Sequence, residues 1–368
     1  MSSQQHHASR STPASSHTPV ASPSDVLAAY GWDADRDTEF APYRGHGLIP
    51  GRIARVDRSL CEVVTADGTV RAAHGAGELP CTGDWAALEL PDDGREAFVA
   101  ALLERRTALV RSQASGRSAG QVLAVNVDLI GAAVPLDVAP DLGRLERLLT
   151  LAWESGARPL VILTKADLAA DAEDLRTDVE AVAMGVDVVV ASALTGEGLD
   201  VLDAYTAGQT VALIGTSGAG KSTLTNALAG AEVTSVQDVR GDGKGRHTTT
   251  WRELVPLPNG GVLVDTPGMR GVGMYDVGEG LDRTFADIDA LVEDCRFADC
   301  THDSEPGCAV LAAIEAGDLP QRRLDSYRKL LREARWIASR EDHRIRAERA
   351  REWKLIHKEM RRSPSPKK

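Results

Sequence analysis

Residues 215–222, GTSGAGKS, carry the strongest structural signal in the chain. They match G-x-x-x-x-G-K-[ST] at every fixed position and stand between the apolar segment TVALI and the helix-like segment STLTNALAG. Glycines in such a loop let successive backbone N–H groups face phosphate oxygens at the N-terminus of the following helix. The pattern predicts a phosphate-binding loop, with Lys221 on the β- and γ-phosphates and the Ser222 hydroxyl on Mg²⁺. The predicted contacts are Gly215, Thr216, Ser217, Gly218, Ala219, Gly220, Lys221, Ser222 and Thr223.

A second motif, DTPG at residues 265–268, closes the apolar segment GVLV downstream of the loop. An aspartate at the carboxyl end of a strand suits Mg²⁺ held through water, which is the role predicted for Asp265. The Gly268 N–H can sense a γ-phosphate, so the motif predicts a switch. D-x-P-G alone is a common turn, and this interpretation therefore depends on its pairing with the phosphate loop.

Two further strand ends carry residues typical of guanine recognition. TKAD at residues 164–167 follows the apolar segment LVIL, and SAL at 192–194 follows VDVVVA. The Asp167 carboxylate can accept both the N1–H and the exocyclic amine of guanine, whereas adenine offers no such pair of donors. A backbone N–H in the SAL turn can donate to guanine O6. The predicted guanine contacts are Thr164, Lys165, Asp167, Ser192 and Ala193.

The order of these motifs is unusual, because the guanine motifs precede the phosphate loop and the Mg²⁺ motif follows it. Ordinary GTPases begin with the phosphate loop, so the order predicts a circularly permuted P-loop GTPase domain over residues 120–276. The segments QVLAVNVDLIGAAV and RPLVILTKAD are each predicted to form a buried strand, and such strands alternate here with amphipathic helices. That alternation predicts an α/β domain, a parallel sheet with helices on both faces.

The segment VRGDGKGRHTTTWREL lies between the phosphate loop and the Mg²⁺ motif, and its Gly, Lys and Arg content predicts a mobile loop. Thr248 or Thr249 can complete the Mg²⁺ shell in the GTP state. His247 is the nearest candidate to position the attacking water, although a loop histidine is often simply solvated. Met269 stands where many GTPases place a glutamine that orients water, so we expect slow intrinsic hydrolysis.

The regions that flank the GTPase domain differ from it in pattern. Short alternating segments separated by turn signals predict a β-barrel at 45–110, with an OB-fold favoured over a plain hairpin domain without a binding role. Residues 1–24 hold almost no bulky apolar groups and are predicted to be disordered. Residues 277–362 are helical in pattern, and 363–368 form a polar basic tail predicted to be disordered.

Three of the five cysteines crowd beside a histidine in the helical C-terminal region. Cys295, Cys300, His302 and Cys308 provide three thiolates and one imidazole, a tetrahedral zinc set. Such a closed set predicts one structural zinc, because no coordination position is left for a catalytic water. The alternative is that these are free buried cysteines.

The charge of the chain is unevenly distributed. The formal net charge is −12, yet residues 327–368 contain 15 Lys and Arg against 6 Asp and Glu, a local charge of +9. This basic helical segment is either a solvated face or a contact for phosphate backbone. No segment approaches the roughly 20 apolar residues of a membrane span, and the N-terminus lacks the pattern of a secretory signal. The cytoplasm is therefore the expected compartment.

Taken together, these motifs resemble those of the RsgA family of ribosome small subunit-dependent, circularly permuted GTPases. The resemblance covers about residues 45–360 and rests on GTSGAGKST, GKGRHTTT, DTPGM and the Cys/His cluster, with GDW at 83–85 and VNVD at 125–128. It implies hydrolysis of GTP to GDP and phosphate on the small ribosomal subunit late in its maturation. It also implies contact with rRNA and a catalytic role for His247. Thr164 is a departure, because many members have asparagine there.

Two other classes of function compete with this interpretation. A metabolic kinase or ATPase would share only the phosphate loop, and the TKAD and SAL motifs argue against it. A scaffold that binds RNA without hydrolysing GTP would show no stimulation by small subunits. We expect a monomer that has no membrane contact.

Overall fold

The structure, a computed structural model, describes residues 23–75, 78–91, 96–111, 121–234, 252–264 and 278–337. The predicted N-terminal extension, 1–24, overlaps this part of the chain only where the first helix begins at Pro23. The predicted tail, 363–368, lies outside the described residues.

A closed five-stranded barrel forms the N-terminal region. Its strands neighbour one another in the order β1-β2-β3-β5-β4, and β3 pairs with β5 in parallel. Alternate apolar side chains such as Ile53 and Val63 fill the interior, because successive side chains of a strand point to opposite faces. The barrel confirms the predicted OB-type fold. The strands are β1 (Ile49–Asp57), β2 (Leu60–Thr65), β3 (Gly68–His74), β4 (Trp85–Glu89) and β5 (Ala97–Leu102).

Two helices before the barrel, α1 (Pro23–Ala29) and α2 (Ala34–Arg44), pack against it. The Trp32 ring meets the Phe40 and Trp85 rings edge to face, at centroid distances of 5.8 and 4.9 Å. Such aromatic pairs add stability beyond the area that they bury. The sequence pattern predicted neither helix.

A six-stranded sheet forms the second region, in the order β10-β9-β8-β11-β13-β12. All neighbours in it are parallel except β12 and β13. Apolar clusters cover both of its faces, as expected for strands buried between helices. The strands are β8 (Leu129–Pro135), β9 (Arg158–Thr164), β10 (Val188–Val190), β11 (Thr210–Gly215), β12 (Leu254–Pro256) and β13 (Val262–Val264). The parallel sheet of the predicted α/β domain is confirmed.

The segment QVLAVNVDLIGAAV was predicted as one buried strand, and this was wrong. It forms β7 (Gln121–Val125), which pairs with β6 (Ala108–Arg111) in a separate ribbon, and then β8. The break is Asn126, whose φ of 53° lies in the left-handed region that asparagine tolerates better than most residues. Its amide bonds the Arg36 guanidinium at 2.8 Å, the Arg106 N–H at 3.0 Å and the Gly83 carbonyl at 3.0 Å. These bonds stabilise the turn between barrel and sheet.

Helices connect the strands of the sheet and make up the C-terminal region. Those of the sheet region are α3 (Leu142–Glu154), α4 (Ala172–Glu180), α5 (Leu199–Thr206) and α6 (Lys221–Ala229). Those of the C-terminal region are α7 (Gly278–Thr284), α8 (Ala286–Val292) and α9 (Ala309–Ala316), followed by a helix over 321–337. They share one apolar cluster with Leu151 of α3. In the parts of the chain that the structure describes, no helix is long and apolar enough to cross a membrane.

Candidate nucleotide and metal sites

The phosphate loop connects the carboxyl end of β11 to the start of α6, at the centre of the sheet. Gly215, Gly218 and Gly220 have φ values of 147°, 83° and 81°. These left-handed conformations suit glycine, because a side chain would be strained there. At Gly215 a Cβ would also lie 2.6 Å from the Ala133 carbonyl oxygen. The two strands therefore approach so closely that glycine is required where the loop begins.

Lys221 lies at the first position of α6 and reaches back over the loop. Its ammonium donates to the Gly215 carbonyl at 3.0 Å and to the Thr216 carbonyl at 2.7 Å. The charge is thus held beside the backbone that, in loops of this type, surrounds a bound phosphate. Ser222 follows in the first turn of the same helix.

The two guanine motifs meet at the same edge of the sheet. The Ser192 hydroxyl donates to the Asp167 carboxylate at 2.5 Å, and its oxygen accepts from the Leu194 and Thr195 N–H groups at 3.3 and 3.2 Å. Ser192 is fully buried. This bond orients the carboxylate that we predict for guanine, and it brings together two motifs that are 25 residues apart.

Each of the two guanine motifs, TKAD and SAL, is also accompanied by an exposed apolar side chain. Leu168 follows the predicted guanine-binding carboxylate and is 63% exposed, and Leu194 in the SAL turn is 82% exposed. Apolar side chains of this kind can cover the face of a base. No sequence motif marks either leucine for such a role, and only their exposure in the structure distinguishes them.

The loop that carries the TKAD motif, called the guanine loop below, is hydrogen-bonded directly to the phosphate loop. The buried Thr164 hydroxyl donates to the Ala219 carbonyl at 2.8 Å. Thr164 therefore joins the two loops through its side chain. Lys165 adopts a left-handed conformation, with φ of 59°, and its ammonium pairs with the Asp137 carboxylate at 2.6 Å. Asp137 belongs to none of the sequence motifs.

Several predicted site residues lie outside the described residues, namely His247, Thr248, Thr249, Asp265 and Gly268. The chain before the predicted mobile loop is described, and so is the end of that loop from Arg252 onwards. Before the loop, the Asn226 amide oxygen accepts from the Val233 and Thr234 N–H groups at 3.0 and 2.8 Å. At its end, the Arg252 carbonyl accepts from the Thr82 hydroxyl beside the barrel at 3.2 Å. The described residues at the two ends of this segment are thus bonded to the phosphate-loop helix and to the barrel region.

The four predicted zinc ligands form one cluster. Their ligand atoms all lie within 4.8 Å of one another. His302 Nδ1 lies 3.6 Å from Cys295 Sγ and 3.4 Å from Cys308 Sγ, and the two sulfurs are 3.9 Å apart. Zinc–ligand bonds of about 2.0–2.3 Å in a tetrahedron give edges of this length. Burial lowers the pKa of His302, which favours the neutral imidazole that a metal requires. The donor set fits a metal such as zinc.

The remaining two cysteines belong to the barrel region and differ in chemistry. Burial raises the pKa of Cys61 and of Cys81 to about 11. Both are therefore protonated thiols at neutral pH, and neither lies in the cluster.

A buried ionic network joins α3 to the C-terminal helices. The Arg323 guanidinium donates to Glu146 at 2.8 Å and to both oxygens of Asp287 at 2.9 Å. Arg322 also reaches Glu146, at 3.0 Å. Arg323 and Glu146 are almost completely buried. No sequence motif predicted this network.

A phosphate loop at the centre of a parallel sheet, guanine motifs on neighbouring strands and a rotated motif order define a circularly permuted P-loop GTPase, a GTP hydrolase. Comparison with known proteins gives the family. A family model described as RsgA GTPase matches residues 102–275. The relative from Streptomyces coelicolor, named small ribosomal subunit biogenesis GTPase RsgA, is 56% identical over 339 residues, covering 89% of this chain and 92% of that protein. The chain belongs to the RsgA GTPase family.

More distant relatives and solved structures agree with this. The RsgA protein of Methanosarcina acetivorans is 39% identical over 362 residues, covering 95% of this chain and 97% of that one. The structure of YjeQ from Thermotoga maritima has a TM-score of 0.59 at 25% identity and covers 78% of this chain and 98% of its own. YloQ, described as a circularly permuted GTPase, has a TM-score of 0.57 at 25% identity, and the match covers 79% of this chain and 96% of the YloQ chain.

Proposed function

We propose that this chain hydrolyses GTP to GDP and phosphate in the late maturation of the small ribosomal subunit, while bound to the subunit and its rRNA. The observation that carries the proposal is the joined pair of loops, in which Thr164 bonds the guanine loop to the Ala219 carbonyl of the phosphate loop. The names of the relatives support the ribosomal setting. That setting also makes the cytoplasm the expected compartment, and we expect a monomer.

Guanine specificity depends on Asp167 in this proposal. A carboxylate accepts the N1–H and the amine of guanine, and the Ser192 hydroxyl holds that carboxylate at 2.5 Å. An ATPase with the same phosphate loop would not need the Asp167 carboxylate, because adenine lacks this pair of donors. Binding of GDP and ADP to the full chain, measured by calorimetry, separates the two, because comparable affinities would exclude a guanine-specific site.

The phosphate end of the site uses the backbone of 215–222 and Lys221. Ser222, Asp265 and either Thr248 or Thr249 would hold Mg²⁺, which supplies positive charge for the phosphate oxygens when bound. A hydroxyl in the first turn of α6 is chemically suited to that ion. The Gly268 N–H would sense the γ-phosphate and His247 would position the attacking water. Met269 cannot orient water, so intrinsic turnover should be slow.

The Cys/His cluster is proposed to hold one structural zinc. Four protein donors complete a tetrahedron, so the ion would hold the chain between α8 and α9 together and take no part in hydrolysis. The basic segment over 327–368 is proposed to contact rRNA phosphates, together with the barrel.

The neighbours of the predicted switch and of the predicted mobile loop suggest how GTP hydrolysis affects RNA binding. The predicted switch, DTPG, lies in residues 265–277, which join β13 to α7 in the chain. The mobile loop leads to Arg252, whose carbonyl accepts from the Thr82 hydroxyl beside the barrel. Each of these two segments thus leads to a region that we propose to bind RNA. Release of the γ-phosphate would alter both connections and favour dissociation from the subunit.

The decisive experiment is GTP turnover titrated with purified small subunits, with large subunits as the control. The proposal predicts slow basal hydrolysis that rises steeply and saturably with small subunits alone. A rate that is indifferent to small subunits, in a preparation that binds GDP, would contradict the ribosomal role and favour the scaffold alternative.

A further inference from the structure

We propose that Asp137 is a positioning residue for guanine nucleotides, acting through Lys165. Asp137 lies at the same edge of the sheet as the guanine and phosphate loops, yet it belongs to no nucleotide-binding motif. The inference rests on the proposed nucleotide site and identifies a further residue on which the affinity of that site depends.

The backbone holds Asp137 at this edge. Strand β8 lies between β9 and β11, which lead into the guanine loop and the phosphate loop. The ladder between β8 and β9 extends to Pro135 and Thr164, and the Leu136 N–H then bonds the Thr164 carbonyl at 2.9 Å. Leu136 is buried. The next residue is therefore fixed in position beside the guanine loop.

The Lys165 side chain extends between Asp137 and the phosphate loop. Its left-handed backbone, with φ of 59°, sets the direction in which the side chain leaves the chain. Its Cγ lies 4.0 Å from where a Cβ on Gly220 would be, so the stem passes close to the last glycine of the loop. Its ammonium ends 2.6 Å from the Asp137 carboxylate. The ion pair therefore selects one conformation of a long side chain at the junction of the two loops.

Removal of the carboxylate should free the lysine. A lysine with four rotatable bonds loses much conformational freedom when it is ordered, so an unpaired Lys165 must be ordered again by the nucleotide. The two side chains are 28% and 35% exposed, so the effect of the pair is moderate and depends on salt. We expect Asp137→Asn to weaken GDP and GTP binding by about two- to fivefold. KM should rise in proportion, whereas kcat at saturating GTP should be unchanged.

A double-mutant cycle on the full-length chain tests the mechanism. The dissociation constant for GDP is measured for wild type, Asp137→Asn, Lys165→Met and the double variant, at low and high salt. The proposal predicts that Asp137→Asn has no further effect once Lys165 is methionine, and that its effect in the wild type shrinks at high salt. Asp137→Glu, which keeps the charge, should recover part of the affinity.

Glu173→Gln provides a matched control, because Glu173 pairs with Arg176 on the surface of α4. It should leave the GDP affinity unchanged. Equal or tighter binding by Asp137→Asn, in a variant that melts like wild type, would overturn the proposal. So would an equal loss with and without Lys165, which would indicate direct contact of Asp137 with the nucleotide. Failure of the wild type to prefer GDP over ADP would instead refute the proposed function and is detected before any variant is made.

Discussion

Replacement of Arg323 by methionine should weaken the attachment of the C-terminal helices to α3 more than any exposed substitution nearby. Arg323 is 1% exposed, and its guanidinium donates hydrogen bonds to Glu146, to both oxygens of Asp287 and to the Thr284 carbonyl. Methionine fills similar space but donates none of these bonds. The variant therefore isolates the electrostatic contribution from the packing one.

The magnitude follows from the groups that remain. Glu146 is fully buried and, within the described residues, one of its oxygens has no hydrogen-bond partner even in the wild type. Loss of one partner from a buried ion pair costs about 3–5 kcal/mol, because the other charge stays buried. Arg322 still contacts Glu146 at 3.0 Å, which argues for the lower end, about 3 kcal/mol. Arg322→Met, whose side chain is 39% exposed in the wild type, should cost at most about 1 kcal/mol.

Urea unfolding followed by tryptophan fluorescence measures the difference, with Arg322→Met as the matched control. The Arg283 guanidinium of α7 lies over the Trp153 ring of α3, 5.1 Å from the ring centroid, so Trp153 fluorescence should change when the two helices separate. A Trp153→Phe variant identifies how much of the total fluorescence change comes from Trp153. The variant Glu146→Gln/Arg323→Met should regain part of the loss, because the fully buried side chain at position 146 then carries no charge, although Asp287 still lacks its arginine. If Arg323→Met unfolds within about 0.5 kcal/mol of Arg322→Met, the network does not hold the interface.

Three further predictions concern the metal, the guanine loop and hydrolysis. Chelation of the metal, or Cys300→Ser, should unfold the C-terminal region in near-ultraviolet circular dichroism while GDP affinity is retained; a simultaneous loss of both would contradict a purely structural role. Thr164→Val should weaken GDP binding by about five- to tenfold, because the Ala219 carbonyl loses a buried hydrogen bond, whereas Thr164→Ser should not. His247→Ala should spare GDP binding and depress subunit-stimulated turnover; unchanged turnover would remove His247 from the mechanism.

The sequence predicted the central sheet well because each nucleotide motif follows a strand that is mainly apolar. Such strands are recognisable without an alignment, and the motifs at their ends indicate which ends share an edge. The break at Asn126 was missed for the same reason, since apolar residues stand on both sides of it. Only the contacts of its amide with the barrel region explain why the chain turns there.

The site was predictable where its chemistry depends on local spacing. The residues of the phosphate loop and of the Cys/His cluster are close in sequence, so their spacing alone was enough to predict a phosphate loop and a cluster of metal-type ligands, and the structure brings the four ligands together. The pairs Asp137–Lys165 and Glu146–Arg323 are 28 and 177 residues apart, and each consists of charged residues that are common on protein surfaces. No pattern in the sequence distinguishes such a pair from solvated charges. Tertiary structure was needed to bring the partners together.

The permuted order has a mechanical consequence for the C-terminal helices. They are joined covalently to the Mg²⁺ motif through residues 265–277, and they are also bonded to α3, which follows β8 beside the phosphate-loop strand. Gly280 packs so closely on α3 that a Cβ there would lie 2.3 Å from the Thr150 carbonyl oxygen. A displacement of the predicted Mg²⁺ motif that is passed on to the C-terminal helices must therefore either separate the buried charges or move α3 together with those helices. Separation leaves the buried Glu146 carboxylate without its arginine partners, which is the costlier outcome. We therefore predict that α3 moves together with the C-terminal helices when the γ-phosphate is lost.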